Sequence, residues 1–385
     1  GAGGILNRVT KKGLLDDNFV GYQASADSFG GYNLELDGNV AVADTVALRL
    51  NALYENLESE RDFFDGERVG VNPTARILLS PTTTLDLLYE YVDHDRFIDR
   101  GIPTGANGRP VEAFDRIVFG DPRLNNSELE AHLFRAMLQH EFSDRLKANI
   151  SAFYGDYDKL YENFYASGYD EVNTPDVVTL DGYIDTTQRE NTILSGNLIG
   201  QWLTGSIEHT IVTGFEYIDT SSNQDRYNAF WDTTADDNEV FAIQRPLDLR
   251  GGIGVNAAGD VTRNDYTVDL NDDTEVDIEV YSFFIQDEIA FSKQLSLVLG
   301  ARFDSFDIDV FNVVSNEKRN RKDDEVSPRA GLIYKPRENI SLYASYSETF
   351  LPRSGEQYAD INGDNDRLDP DEFESREVGL KWDLA

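Results

Sequence analysis

The chain has 385 residues, with 71 Asp and Glu against 34 Lys and Arg, a formal net charge of −37 and no cysteine. That balance leaves no basic face for nucleic acid, and the lack of thiols excludes disulfide frameworks, thiolate catalysis and cysteine zinc sites. A mean hydropathy of −0.45, with no apolar run near the roughly 20 residues of a spanning helix, excludes a helical membrane protein but not a barrel, whose alternating strands average out as polar.

The chain opens at Gly1 with neither a basic n-region nor an apolar h-region, so an export signal is expected to be removed or to lie outside this sequence. Period-2 alternation then predicts strands near 19–28, 31–40, 45–56, 67–79, 84–94, 128–142, 146–157, 187–202, 207–221, 275–291, 295–306, 326–335, 340–349 and 374–384. In one of them Leu295, Leu297, Leu299, Ala301 and Phe303 share a face opposite Ser296, Gly300, Arg302 and Asp304. These segments are longer than the five or six residues usual in soluble sheets and match the roughly nine to eleven of a tilted spanning strand.

The connections alternate in kind. Short turns fall at 41–44, 80–83, 143–145, 203–206, 292–294 and 336–339, and long acidic loops at 57–66, 95–127, 158–186, 222–274, 307–325 and 350–373. Short on one rim and long on the other is the pattern of an outer-membrane β-barrel, and a soluble sandwich has no reason to sort its loops by parity. The fold class read from the sequence is therefore all-β, a transmembrane antiparallel barrel with about 14 strands. Tyr89 and Tyr91, Phe153 and Tyr157, Tyr281 and Phe283, and Tyr343 and Tyr346 are expected at headgroup level near strand ends.

Several blocks resemble one family. The opening GAGGILNRVTKK, the hairpin YSFFIQDE (281–288) with LGARFD (299–304), the run SPRAGLIYKP (327–336) leading to SLYASYSETFLPRSG (341–355), and LDP (368–370) with EVGLKW (377–382) are similar in order and spacing to TonB-dependent outer-membrane receptors for ferric siderophores. The resemblance implies that residues 1–13 are the end of a plug domain and 14–385 a barrel incomplete at its C-terminus, against about 22 strands in the family. It further implies energised uptake of a ferric siderophore, coupling to the TonB–ExbB–ExbD complex through a region upstream, an outer-membrane setting with lipid and lipopolysaccharide around it, and no cofactor beyond the iron carried by the ligand. A plugless diffusion porin, or a barrel with adhesive or structural loops, is the alternative reading.

No catalytic constellation stands out, since His94, His132, His140 and His209 are scattered without triad spacing, and the chain is not expected to be an enzyme. Rings that pack on an organic scaffold are available in the long loops: Tyr161, Phe164, Tyr165 and Tyr169 in one, and Tyr227, Phe230, Trp231 and Phe241 in another. Strand parity turns Glu216 and Glu377 to the polar face, and the resemblance implies that they meet plug arginines there. Asp360, Asn362 and Asp364, with Asp371 at the twelfth position, partly match a calcium loop, although Asn365 stands where that loop needs glycine.

Overall fold

The computed structural model describes residues 8–243, 253–255, 261–263, 266–352 and 369–383. Seventeen strands form one sheet: β1 (Phe19–Ala26), β2 (Tyr32–Ala43), β3 (Val46–Glu58), β4 (Asp65–Ser80), β5 (Thr83–Phe97), β6 (Asn126–Ser143), β7 (Leu146–Gly168), β8 (Val177–Thr204), β9 (Ile207–Trp231), β10 (Asn238–Ala242), β11 (Ile253–Val255), β12 (Val261–Arg263), β13 (Tyr266–Ala290), β14 (Leu295–Asn312), β15 (Glu317–Arg337), β16 (Ile340–Leu351) and β17 (Asp371–Trp382). Fourteen of them make an up-and-down antiparallel meander, β1 to β9 and then β13 to β17, with β9 paired directly to β13. The meander strands coincide with the fourteen read from alternation. Among the described residues the single helical element is a 3-10 turn at Glu112–Phe114, and no ladder joins β1 to β17.

Connections on one rim are residues 44–45, 81–82, 144–145, 205–206, 291–294 and 338–339, two to four residues each. All the long connections lie on the other rim. Three of them are much shorter than the sequence suggests: β7, β8, β9, β13, β14 and β15 continue far past the apolar stretch, so 158–186 shrinks to 169–176, 222–274 to 232–265 and 307–325 to 313–316. These extensions carry acids, Asn and Gly because both faces meet water, and the alternation that betrays a half-buried strand is lost there.

The two faces differ in chemistry as lipid and lumen require. Leu48, Leu50, Leu87, Phe134, Leu194, Phe215, Phe283, Ile285, Leu299, Phe303, Leu332 and Leu380 are all exposed on the outward face. Opposite them, Arg49, Arg76, Asp86, Glu90, Glu216, Arg302 and Asp304 point inward and pair with one another or with the N-terminal segment. Outward rings form neighbouring contacts at Tyr32–Tyr54 (5.9 Å), Tyr89–Phe134 (4.7 Å), Phe134–Tyr154 (6.5 Å) and Tyr217–Tyr281 (5.0 Å). Of the rings expected at headgroup level, Tyr89, Tyr91, Tyr281, Phe283 and Tyr346 are on this face. Phe153, Tyr157 and Tyr343 have the opposite parity and face inward, Phe153 beneath Arg135 at 5.3 Å and Tyr343 bonded to Glu377.

Above the lipid band the sheet divides. β9 leaves β8 after Asn228–Tyr183, and β10 takes its place beside residues 177–181 of β8. An aromatic core fills the fork: Phe119, Phe164, Val178, Leu180, Ala229, Trp231, Phe241 and Tyr266 are all buried. The β5–β6 connection, 98–125, packs Ile102, Phe114, Ile117 and Leu124 against it.

Candidate functional site

The N-terminal segment precedes β1 and runs along the lumen wall. Three basic side chains at its start meet three inward carboxylates: Arg8 with Glu90, Lys11 with Asp37 (2.8 Å) and Lys12 with Asp86 (2.9 Å). Two of those acids are also gripped from the wall, Asp37 by both arms of Arg49 (2.8 and 2.7 Å) and Asp86 by Arg76 (2.8 and 3.2 Å). Gly13 passes so close that an added Cβ would stand 2.9 Å from the carbonyl oxygen of buried Ala47. Asn39 then fixes the turn into β1, its amide accepting from Leu14 N and donating to Leu14 O and Asp17 O. Glu90, Asp86 and Asp37 were not singled out in the sequence, and inward strand parity was the signal for all three.

A second site lies higher, where β7, β8 and β9 extend beyond the lipid band. Tyr161, Asn163 and Tyr165 of β7, Asp181, Tyr183 and Asp185 of β8, and Arg226 of β9 share the inward parity. The Tyr161 and Tyr183 rings stack at 6.1 Å, and Tyr165 meets Tyr183 edge-on at 6.2 Å. Arg226 forms a two-armed pair with Asp185 (2.7 Å each) and lies 4.6 Å over Tyr183. From the β5–β6 connection Arg100 enters 4.7 Å over Tyr165, its Nη1 donating to Asn163 Oδ1 (2.9 Å) and to the Tyr183 hydroxyl (3.0 Å). Burial, together with the bond from its hydroxyl to Asp181 (2.8 Å), pushes the Tyr165 phenol up to about 12, so it stays a neutral donor at physiological pH. Rings and guanidinium planes clustered on one inward face are suited to hold a rigid, partly aromatic, polar ligand.

The eight predicted ring residues divide by parity. Tyr161 and Tyr165 belong to this cluster, and Phe230, 38% exposed, has the same parity further up β9. Phe164, Trp231 and Phe241 are instead buried in the aromatic core on the opposite face, with Trp231 touching Phe164, Phe241 and Tyr266 at ring distances of 6.1, 5.1 and 4.9 Å. They present no surface to a ligand. Tyr169 packs edge-on against Phe114 at 5.4 Å, and Tyr227 stands on the outward face of β9. Tyr161, Phe164, Tyr165, Tyr227, Phe230, Trp231 and Phe241 are strand residues and not loop residues as expected. Tyr183, Arg100 and Arg226 are the partners that sequence reading missed.

Glu216 points into the lumen as parity required and is bonded by Arg302 at 2.9 Å, with Ser282 donating to the neighbouring Asp304. Glu377 also has the inward parity and accepts from the Tyr343 hydroxyl. Asp360, Asn362 and Asp364 lie outside the described residues, and Asp371 opens β17. Among the described residues no cluster of three or more His, Asp or Glu is arranged to hold a metal ion.

A long-stranded meander with a lipid-facing apolar band, a charged lumen and a ring-lined outer mouth defines an outer-membrane receptor barrel. The family model for "TonB dependent receptor-like, beta-barrel" matches residues 70–385, and the chain belongs to that family of bacterial outer-membrane receptors and transporters. The metal-pseudopaline receptor CntO of Pseudomonas aeruginosa is 26% identical over 413 residues, covering 99% of this chain and 52% of the relative. The crystal structure of the siderophore receptor PiuA from Acinetobacter baumannii superposes with a TM-score of 0.81 at 23% identity, over 98% of this chain and 56% of that one. The ferripyoverdine receptor of Pseudomonas aeruginosa, bound to ferripyoverdine, gives 0.76 at 19% identity over 96% and 46%. The chain thus spans about half the length of the curated relatives it matches.

Proposed function

We propose that this chain is the barrel portion of a receptor that captures a ferric siderophore at its outer mouth and admits it with energy from the TonB–ExbB–ExbD complex. The observation that carries the reading is the inward cluster of Tyr161, Tyr165, Tyr183, Arg100 and Arg226, placed above the lipid band where an external ligand arrives. Iron enters as part of the ligand, with no resident cofactor, and the receptor carries out no chemistry on it. Residues 1–13 are read as the end of a plug domain and 14–385 as barrel, a division supported by the three ion pairs that tie Arg8, Lys11 and Lys12 to the lumen wall. Glu216 and Glu377, on the same inner face, are further contact points for a plug. The apolar outer band and its rings are the surface offered to outer-membrane lipid and lipopolysaccharide.

A segment pinned inside the lumen by charge disfavours the open porin, because an open pore has no use for a clamped internal strand of cations. The deciding experiment is iron-55 uptake by iron-starved cells expressing the whole receptor, with and without a functional TonB. Saturable uptake of a ferric siderophore that disappears without TonB supports the reading. Uptake that is unsaturable and independent of TonB overturns it in favour of diffusion.

A further inference from the structure

The vestibule contains two arginines and three nearby carboxylates, and their pairing is unequal. Asp99 is held by Arg61 and caps the Gly101 amide, which lies at φ +85° (2.5 and 2.9 Å). Asp181 accepts from the Tyr165 hydroxyl and the Gly182 amide (2.8 and 2.7 Å), and Asp185 has both oxygens on Arg226. Arg100 donates to neutral oxygens, those of Asn163 and Tyr183, with the Tyr161 phenol also beside it and the Tyr165 ring beneath. Among the described residues no carboxylate lies within ion-pair distance of it. In a chain with 71 acids and 34 basic residues, a guanidinium set over the inward face of β7 and β8 and kept apart from acids that are each committed elsewhere is a selective arrangement.

Resting on the receptor reading above, we propose that Arg100 is the anion-recognising residue of the vestibule, and that the ligand class is a negatively charged ferric complex with planar oxygen donors, catecholate or carboxylate, and not a neutral trihydroxamate. The planar guanidinium can bond two oxygens of such a complex in its own plane while its face stays on Tyr165. The rings of Tyr161 and Tyr183 supply stacking area alongside. The overall charge of −37 would by itself disfavour an anion. Over the roughly 8 Å Debye length of physiological salt, however, a local contact outweighs that distant field. Asn163, fully buried, fixes the guanidinium through Oδ1 and is itself anchored to Tyr183 O at 3.2 Å, so the cation is held in place before a ligand arrives.

The test is fluorescence-quenching titration of the whole receptor in detergent micelles with two probes, a trianionic ferric tris-catecholate and a neutral ferric trihydroxamate, for the natural sequence and for Arg100→Gln and Arg100→Lys. The expected result is tighter binding of the anionic probe, a loss of at least about tenfold in Arg100→Gln, partial recovery in Arg100→Lys, and less than about twofold change for the neutral probe; tenfold corresponds to about 1.4 kcal/mol. Equal affinity for both probes, or an Arg100→Gln variant that keeps its grip on the anion, overturns the inference while leaving the receptor reading in place. Loss of both probes in Arg100→Gln identifies Arg100 as a pin for the 98–125 connection and also overturns it. If neither complex binds the natural sequence, the receptor reading fails as well.

Discussion

Arg61 Nε donates to Asp99 Oδ2 across 38 positions of sequence, joining the β3–β4 connection to the β5–β6 connection at 2.5 Å. The same guanidinium reaches the carbonyls of Asp115 and Ile117, the latter at 3.0 Å, so one side chain ties the start of the loop that carries Arg100 to a point further along it. Arg61 is a positioning residue for the vestibule, acting through the loop and not on a ligand.

Arg61→Ala should therefore free residues 98–117 without disturbing the meander. Limited proteolysis should cut there at least several-fold faster, while heat-modifiable migration of the barrel on gels is unchanged. Unaltered cleavage would show that the aromatic core alone holds the loop.

Asn125 completes the ladder where β6 has yet to begin. Its side chain donates to the carbonyls of Ile98 and Phe164 (3.0 and 2.9 Å) and accepts from the amides of Phe164 and Asp121 (3.0 and 3.1 Å) at 2% exposure. Asn125→Ala leaves four buried backbone groups without partners and should cost about 2–4 kcal/mol. Denaturant midpoints measured against Asn125→Asp, which keeps the acceptors and loses the donors, will separate the two halves of that loss.

Asp225 and Asp273 sit directly opposite each other on β9 and β13, well beyond the lipid band. Burial and then the Asp273 charge push the Asp225 carboxyl up, and one of its oxygens is buried without a partner. A raised folded-state value means that the folded protein binds the extra proton, so stability falls as pH rises through the interval between the unfolded and folded values and stays lower above it. Asp225→Asn should remove that slope and stabilise the extension at pH 7 by about 0.5–1 kcal/mol. Parallel pH-stability curves for the two proteins would refute the assignment.

Glu90→Gln removes the charge that Arg8 meets while keeping the side chain's size. Amide exchange of residues 8–14 should then quicken, and a double change with Lys12→Gln, which also releases Asp86, should quicken it further. Exchange that stays slow in the double variant would place the hold on the remaining Lys11–Asp37 pair and on Asn39 with its three backbone bonds.

What could be read from the sequence follows the solvent on each side of the sheet. Within the lipid band one face is greasy and the other wet, and the alternation gave all fourteen meander strands. Above it both faces are wet, so Tyr183 fell in a stretch that looked like loop although β8 begins at Val177. The same parity argument would have sorted the rings: Tyr161 and Tyr165 are odd-numbered on β7 and Phe164 even, so they could not share a face. Arg100 gave no such signal, because its place depends on Arg61 and on a connection that crosses the edge of β7. Glu90 and Asp86 were legible as inward acids, but their basic partners come from a segment with no periodicity of its own.

β8 is 28 residues long, roughly 90 Å of extended chain, and at the tilt of about 45° usual for such walls it rises to the order of 65 Å. With an apolar band only about 25 Å tall, some 40 Å of wall stands outside the bilayer. The tyrosine–arginine cluster stands on this raised wall, just below the 169–176 connection that joins β7 to β8, and a phage tail, an antibody or a toxin would meet that wall before the lipid. A wall standing that far out is also the part of the chain that outside agents can select against.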